Sequence, residues 1–132
     1  MKCLSIRQPY ASAIMAGLKT EEFRSWPTDH RGPLVIHASS NTDRAAFTDY
    51  PELDPADCPN GVLLGVVDLV ACKDECVWFN WIVKRPRLLP EPIPYKGKLR
   101  LFDVDVLDPG PPAGIARPPA AKRQRRAKGR RS

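Results

Sequence analysis

The run Val62-Leu63-Leu64-Gly65-Val66-Val67-Asp68-Leu69-Val70-Ala71-Cys72 constrains the fold more than any other segment. It is shorter than the ~18 apolar residues that a membrane-spanning helix needs. Apolar side chains fall at odd and even positions alike, so a strand made of it must be covered on both faces. A chain of 132 residues has room for one domain that does this. One residue interrupts the run. In a regular strand Asp68 shares a face with Leu64, Val66 and Val70, and an unpaired carboxylate there is costly to desolvate. It must find a cation, with Lys19 and Arg24 as candidates, or else mark a strand end facing water.

The remaining elements are short. Residues 2–6 read as an opening strand. Pro9 suits the first position of a helix and Gly17 the position past its end, which predicts a helix over residues 9–16. Residues 20–26, 34–38, 77–83 and 99–106 read as further strands, with a helical turn near residues 44–47. Pro86, Pro90, Pro92 and Pro94 make an extended stretch that cannot donate to a sheet at four positions. About six strands with one or two small flanking helices predict an α+β fold, a compact barrel.

Charge divides the chain. The 21 Lys and Arg exceed the 15 Asp and Glu, but eight of the bases lie from Arg117 onward, with no acid among them. Residues 1–116 therefore carry a net charge of −2. The Pro-, Ala- and Arg-rich segment 108–132 is expected to be a disordered tail. Within the body, residues 43–76 hold a net −6. Residues 84–100 hold a net +5 through Lys84, Arg85, Arg87, Lys96, Lys98 and Arg100 against Glu91. That basic strip is either a phosphate track or a counterweight to the acidic stretch. Four cysteines at 3, 58, 72 and 76 show neither a disulfide framework nor a finger-like metal spacing. The first residues lack the apolar stretch of a signal peptide, and a cytoplasmic protein is expected.

Beyond the helix the chain reads Gly17-x-Lys19-x-x-Glu22-x-Arg24. On a strand, Glu22, Arg24 and Trp26 point the same way, and Lys19 must reach that face from the turn. The group is either a polar site or a surface strand with a Glu22–Arg24 pair worth ~0–1 kcal/mol. If Asp68 is buried, it shares a pocket with Lys19, Glu22 and Arg24. A charged Lys19 beside Arg24 suits an anionic or carbonyl-bearing ligand, with the two carboxylates orienting both. Arg7 and Gln8 can line the same cleft, Gln8 reading a base edge or bonding the start of the helix. Trp26 can stack a base, worth ~1–3 kcal/mol. Trp78 and Trp81 fall on opposite faces of one strand, so at least one belongs to the core. His37 reads as a structural histidine, and Ser39 and Ser40 can bond phosphate at their strand's end.

Leu4-Ser5-Ile6-Arg7-Gln8-Pro9-Tyr10, the lysine motif, Arg31-Gly32-Pro33-Leu34-Val35-Ile36-His37-Ala38 and Leu64-Gly65-Val66-Val67-Asp68-Leu69 come in a fixed order. Pro92-x-Pro94-x-x-Gly97-Lys98-Leu99-x-Leu101-Phe102 closes the series. The set resembles the ASCH domain family of the PUA-like superfamily. The resemblance implies a small β-barrel with flanking helices and a cleft edged by the lysine motif, in a family regarded as RNA-associated. Some members are enzymes. One group is an amidohydrolase on N4-acetylcytidine with a lysine, a threonine and a glutamate, which fall here on Lys19, Glu22 and Asp68. Another is a metal-dependent ribonuclease. Only the lysine of the amidohydrolase set is kept in this sequence.

The combined expectation is an ASCH domain over residues 1–107 that binds RNA or a modified nucleoside. Arg7, Gln8, Lys19, Glu22, Arg24, Trp26 and Asp68 would hold the ligand, and the basic strip would follow the backbone. The alternative is a hydrolase using Lys19 with Asp68 or Glu22. No cofactor, no resident metal and no membrane contact are expected, and the protein is expected to be a monomer. The tail would add unspecific affinity for nucleic acid.

Overall fold

β4 (Val62–Asp74) contains the apolar run, and the other strands are arranged around it. The computed structural model describes residues 1–110; the basic tail from Arg117 lies outside the described residues. The remaining strands are β1 (Lys2–Gln8), β2 (Glu21–Arg24), β3 (Gly32–Thr42), β5 (Phe79–Pro94) and β6 (Leu101–Asp103). The helix α1 (Tyr10–Met15) follows β1, and two short 3-10 turns, Arg44–Asp49 and Pro55–Asp57, lie between β3 and β4. All six strands join one sheet in the order β2-β5-β4-β3-β1-β6. β1 and β3 run parallel, and α1 with β2 supplies the crossover that a parallel pair needs. The other neighbours are antiparallel. The α+β class is as expected, while the edges β2 and β6 do not pair, so the barrel is not closed by a ladder. No helix among the described residues is long and apolar enough to cross a membrane.

Both faces of the sheet are buried. On the α1 side, Leu4, Ile6, Leu34, Ile36, Leu64, Val67, Leu69 and Trp81 pack against Ala11, Ile14 and Met15. On the other side, Cys3, Val35, Leu63, Val66, Leu89, Phe102 and Val104 form a second core. Burial pushes the Cys3 thiol up to about 12, as suits an inert core residue. Trp81 is fully buried in β5, whereas Trp78 is exposed in the bend before it, since the strand expected over residues 77–83 begins at Phe79.

The alternation breaks inside β4. Ile36 stands opposite Gly65 but His37 opposite Leu63, which leaves Leu64 as an extra residue. Leu63 and Val66 therefore enter one core, and Leu64 and Val67 the other. A regular strand would place Leu64, Val66 and Asp68 on one face; the bulge removes Leu64 from that set, while Val66 and Asp68 stay in phase opposite Val35 and Pro33. Gly65 sits at the bulge because nothing larger fits. A Cβ there would run into the Arg87 carbonyl oxygen and the Met15 methyl.

The proline stretch also departs from expectation, since it forms the second half of β5. β2 pairs with β5 only over residues 79–82, while β4 follows β5 as far as Pro94. Beyond Ile82, β5 is an edge, and an edge tolerates the missing N–H groups of proline. The helix begins after a cis Gln8–Pro9 bond and ends before Gly17, whose φ of 79° is the left-handed conformation that favours glycine. Gln8 is fully buried, and its amide is spent on the backbone. Its Oε1 accepts from Ser12 N at 3.0 Å, and its Nε2 donates to the Pro59 carbonyl at 2.8 Å.

Gly65→Ala forces a methyl against a backbone carbonyl that cannot turn aside. We expect a loss of about 1–3 kcal/mol, read as a lower urea midpoint with an unchanged slope. An unchanged midpoint would show that the β4–β5 contact has slack.

Candidate functional site

The lysine motif is built by a turn and an edge strand. The N–H groups of Leu18 and Lys19 both donate to the Ala13 carbonyl, at 2.9 and 3.2 Å, which tucks the turn under α1. β2 then sets Glu22 opposite Trp81 and buries its carboxylate. Arg24 Nη1 donates to Glu22 Oε2 at 3.0 Å, and Lys19 Nζ lies 3.7 Å from Glu22 Oε1. The Lys19 ammonium also lies 4.6 Å from the centre of the Phe23 ring and 5.6 Å from that of Tyr10. With its side chain only 11% exposed, Lys19 is a cation fixed by one carboxylate and two aromatic faces.

These residues edge a cleft of about 950 Å³. Arg7, Lys19, Arg24, Lys96, Lys98 and Arg100 line it, and Glu22 is the single carboxylate among its described lining residues. Tyr10, Phe23, Tyr50 and Tyr95 supply aromatic surface, and Ser5, Ser39, Ser40 and Asn41 supply polar groups. Tyr10 is fixed by its hydroxyl, which donates to Asp43 at 2.8 Å; that bond, followed by burial, pushes its phenol above the ordinary value. Residues 95–100 form the wall facing the motif. The Tyr95 carbonyl accepts from His37 Nε2 at 2.7 Å, so in the neutral ring Nδ1 accepts from the Ser5 hydroxyl at 2.9 Å. His37 is thus a satisfied histidine of the cleft floor. Gly97 crosses directly above this pair, where an added Cβ would lie 2.8 Å from Ser5 Oγ and 2.8 Å from His37 Cε1.

Trp26 does not line the cleft. Its ring stands edge to face on Trp81 at 4.8 Å, and the Arg100 guanidinium covers it at 4.3 Å. It buttresses one wall, where spacing alone suggested a base-stacking surface.

Asp68 lies apart from the cleft as well. Its Oδ2 accepts from Arg85 Nε at 2.6 Å and its Oδ1 from Arg87 Nη2 at 3.0 Å. Arg87, 1% exposed, also makes a bidentate pair with Asp108 at 3.0 Å on each oxygen, and Nη1 donates to the Arg85 carbonyl at 2.7 Å. Both arginines reach one carboxylate because β5 carries an extra residue between Lys84 and Arg87, with Arg85 at a φ of 54°. Burial pushes the Asp68 carboxyl up, but the two guanidinium groups outweigh it and hold the carboxyl below its ordinary value. Arg87 and the Gly110 N–H do the same for Asp108. The expected pocket of Lys19, Glu22, Arg24 and Asp68 therefore resolves into two separate networks.

Of the other expected residues, Arg7, Lys96, Lys98 and Arg100 do line the cleft. Gln8 is the helix-bonding residue described above. Lys84 and Arg85 stand on a different surface, and the donors of Arg87 are consumed inside the protein. The basic strip is therefore not one track. Tyr50, Tyr95 and Asn41 also line the cleft, and each arrives from a loop or strand end with no local sequence spacing to mark it.

Residues 4–102 match the family model described as the ASCH domain, and the chain belongs to that family. Two curated proteins called Activating signal cointegrator 1, from Homo sapiens and Mus musculus, are each 32% identical to it over 130 aligned positions. The match covers 78% of this chain and 22% of each relative, so the chain corresponds to about a fifth of those proteins.

The Asp68–Arg87–Asp108 network sets an acid dependence. Both carboxyls have folded values below their unfolded ones, so their contribution is complete above about pH 4 and is lost as pH falls through the folded values. Arg87→Met removes the guanidinium that pairs with Asp108 and one of the two on Asp68, which keeps Arg85, and is expected to cost about 3 kcal/mol at neutral pH. The variant should then lose less further stability than the wild type between about pH 5 and about pH 2. Urea midpoints at both values check this; equal acid losses in the two proteins would contradict it.

Proposed function

We propose that the cleft binds RNA, taking an unpaired segment with phosphates against its cations and bases against its aromatic walls. The observation that carries this reading is the six cations set against one carboxylate, a carboxylate already paired to two of them. Glu22 holds Lys19 and Arg24 in place before any ligand arrives, which lowers the ordering cost of binding. Phosphate contacts by arginine and lysine give affinity, and stacking on tyrosine and phenylalanine favours unpaired over paired strands. The membership of the ASCH family supports the same reading. Lys19, held between Glu22 and two rings, serves as a fixed cation. The eight bases from Arg117 onward would add salt-sensitive, sequence-independent attraction.

Fluorescence anisotropy with a short labelled single-stranded RNA tests the proposal. Lys19→Ala and Arg24→Ala are each expected to weaken binding about tenfold and to lower the slope of log affinity against log salt by about 0.7. The same RNA annealed to its complement should bind more weakly. Binding that vanishes on removal of residues 111–132, yet ignores both cleft variants, would refute the cleft reading. Release of cytidine from N4-acetylcytidine above the Lys19→Ala background would favour the hydrolase in its place.

A further inference from the structure

A second depression of about 430 Å³ shares Lys19 with the cleft and lies between the end of α1 and the β4–β5 bulge. Its floor is apolar. Ile14, Val67 and Val83 are buried there, and Ile82 and Pro86 are partly exposed. Its rim carries Lys84 and Arg85 in addition to Lys19, and no carboxylate lines it among the described residues. Arg85 keeps its side chain 58% exposed even while its Nε is held by Asp68, and Lys84 is exposed.

We propose that this groove docks an extended, acidic peptide segment with an apolar centre, supplied by a partner protein. The floor takes aliphatic side chains, and the all-cationic rim complements acidic residues on either side of them. RNA fits the groove poorly, because Thr20 is the only uncharged polar side chain among the described residues that line it. The basic segment of this same chain is excluded by like charge. The shape suits an extended chain. β2 stops pairing with β5 at Ile82, and the last bond is Val83 N–H to the Thr20 carbonyl. Past that point the edge of β5 runs along the groove without a neighbouring strand. Pro86 limits ladder bonding there, so side chains rather than backbone must hold the segment.

The test uses the full chain and a short fluorescein-labelled peptide with a Leu-Leu centre flanked by aspartates. Saturable binding is expected, weakened about tenfold by Lys84→Glu and by Ile82→Asp, and absent for a Leu-Leu peptide flanked by lysines. Circular dichroism and the urea midpoint certify that each variant is folded. Lys84→Glu should leave the RNA affinity within about twofold of wild type, since Lys84 does not line the cleft. Failure of the RNA proposal would leave the peptide result standing, and the reverse also holds. The proposal is overturned if the acidic peptide does not bind, if it binds Lys84→Glu as well as wild type, or if the lysine-flanked peptide binds equally. It is also overturned if laurate saturates the groove while the peptide does not.

Discussion

A strand apolar on both sides cannot lie at a surface, and β4 imposes that condition on everything around it. Leu63, Leu64, Val66, Val67 and Leu69 are all buried. At about 1.5–3 kcal/mol for each such side chain, their burial is comparable to the net stability of a whole domain, about 5–15 kcal/mol. The fold must keep two apolar layers, one on each face of a single sheet. α1 completes one layer, and the segment around β6 completes the other. With both faces occupied, a ligand site has room only where the sheet's cover is incomplete. The cleft lies there, between the motif at one sheet edge and residues 95–100.

The molecule holds two acid–base networks and treats them oppositely. Glu22 sits between Lys19 and Arg24 with a cavity beside it, so the cations stay positioned yet remain in contact with solvent space. Asp68 and Asp108 close on Arg87, which is buried and has no access to a ligand. The difference lies in backbone geometry. The first network follows the twofold repeat of an edge strand and a turn; the second is made by an extra residue in β5 that swings Arg85 and Arg87 onto one carboxylate.

That difference also decides what could be read from the sequence. Lys19, Glu22 and Arg24 lie within six positions, so strand periodicity and one turn place them together, and the structure agrees. Most of the strands, the short helix and the two-sided burial of residues 63–67 follow from local pattern in the same way, whereas Val70 is exposed and the proline stretch joins β5. Asp68 stays in phase with Val66, as strand periodicity predicts, but that pair turns to the face opposite the one shared by Glu22 and Trp81, and no local pattern marks this difference. Its true partners, Arg85 and Arg87, are set by cross-strand register. The same holds for Trp26, whose ring is covered by Arg100 from 74 positions away. Gln8 could read a base or brace a helix by its chemistry alone; the choice fell to the carbonyl of Pro59.

β1 lies between β3 and β6, and its register with β6 joins Lys2 to Asp103. The first strand of the chain therefore gains its second neighbour only after about a hundred further residues have been added, and Arg87 meets Asp108 later still. Contacts this distant along the chain carry a loop-closure cost that slows folding. The cleft inherits that timing, because its far wall is the segment running into β6. On a ribosome, the half-made protein would lack both β5, on which the strand of the lysine motif is mounted, and the wall that faces it.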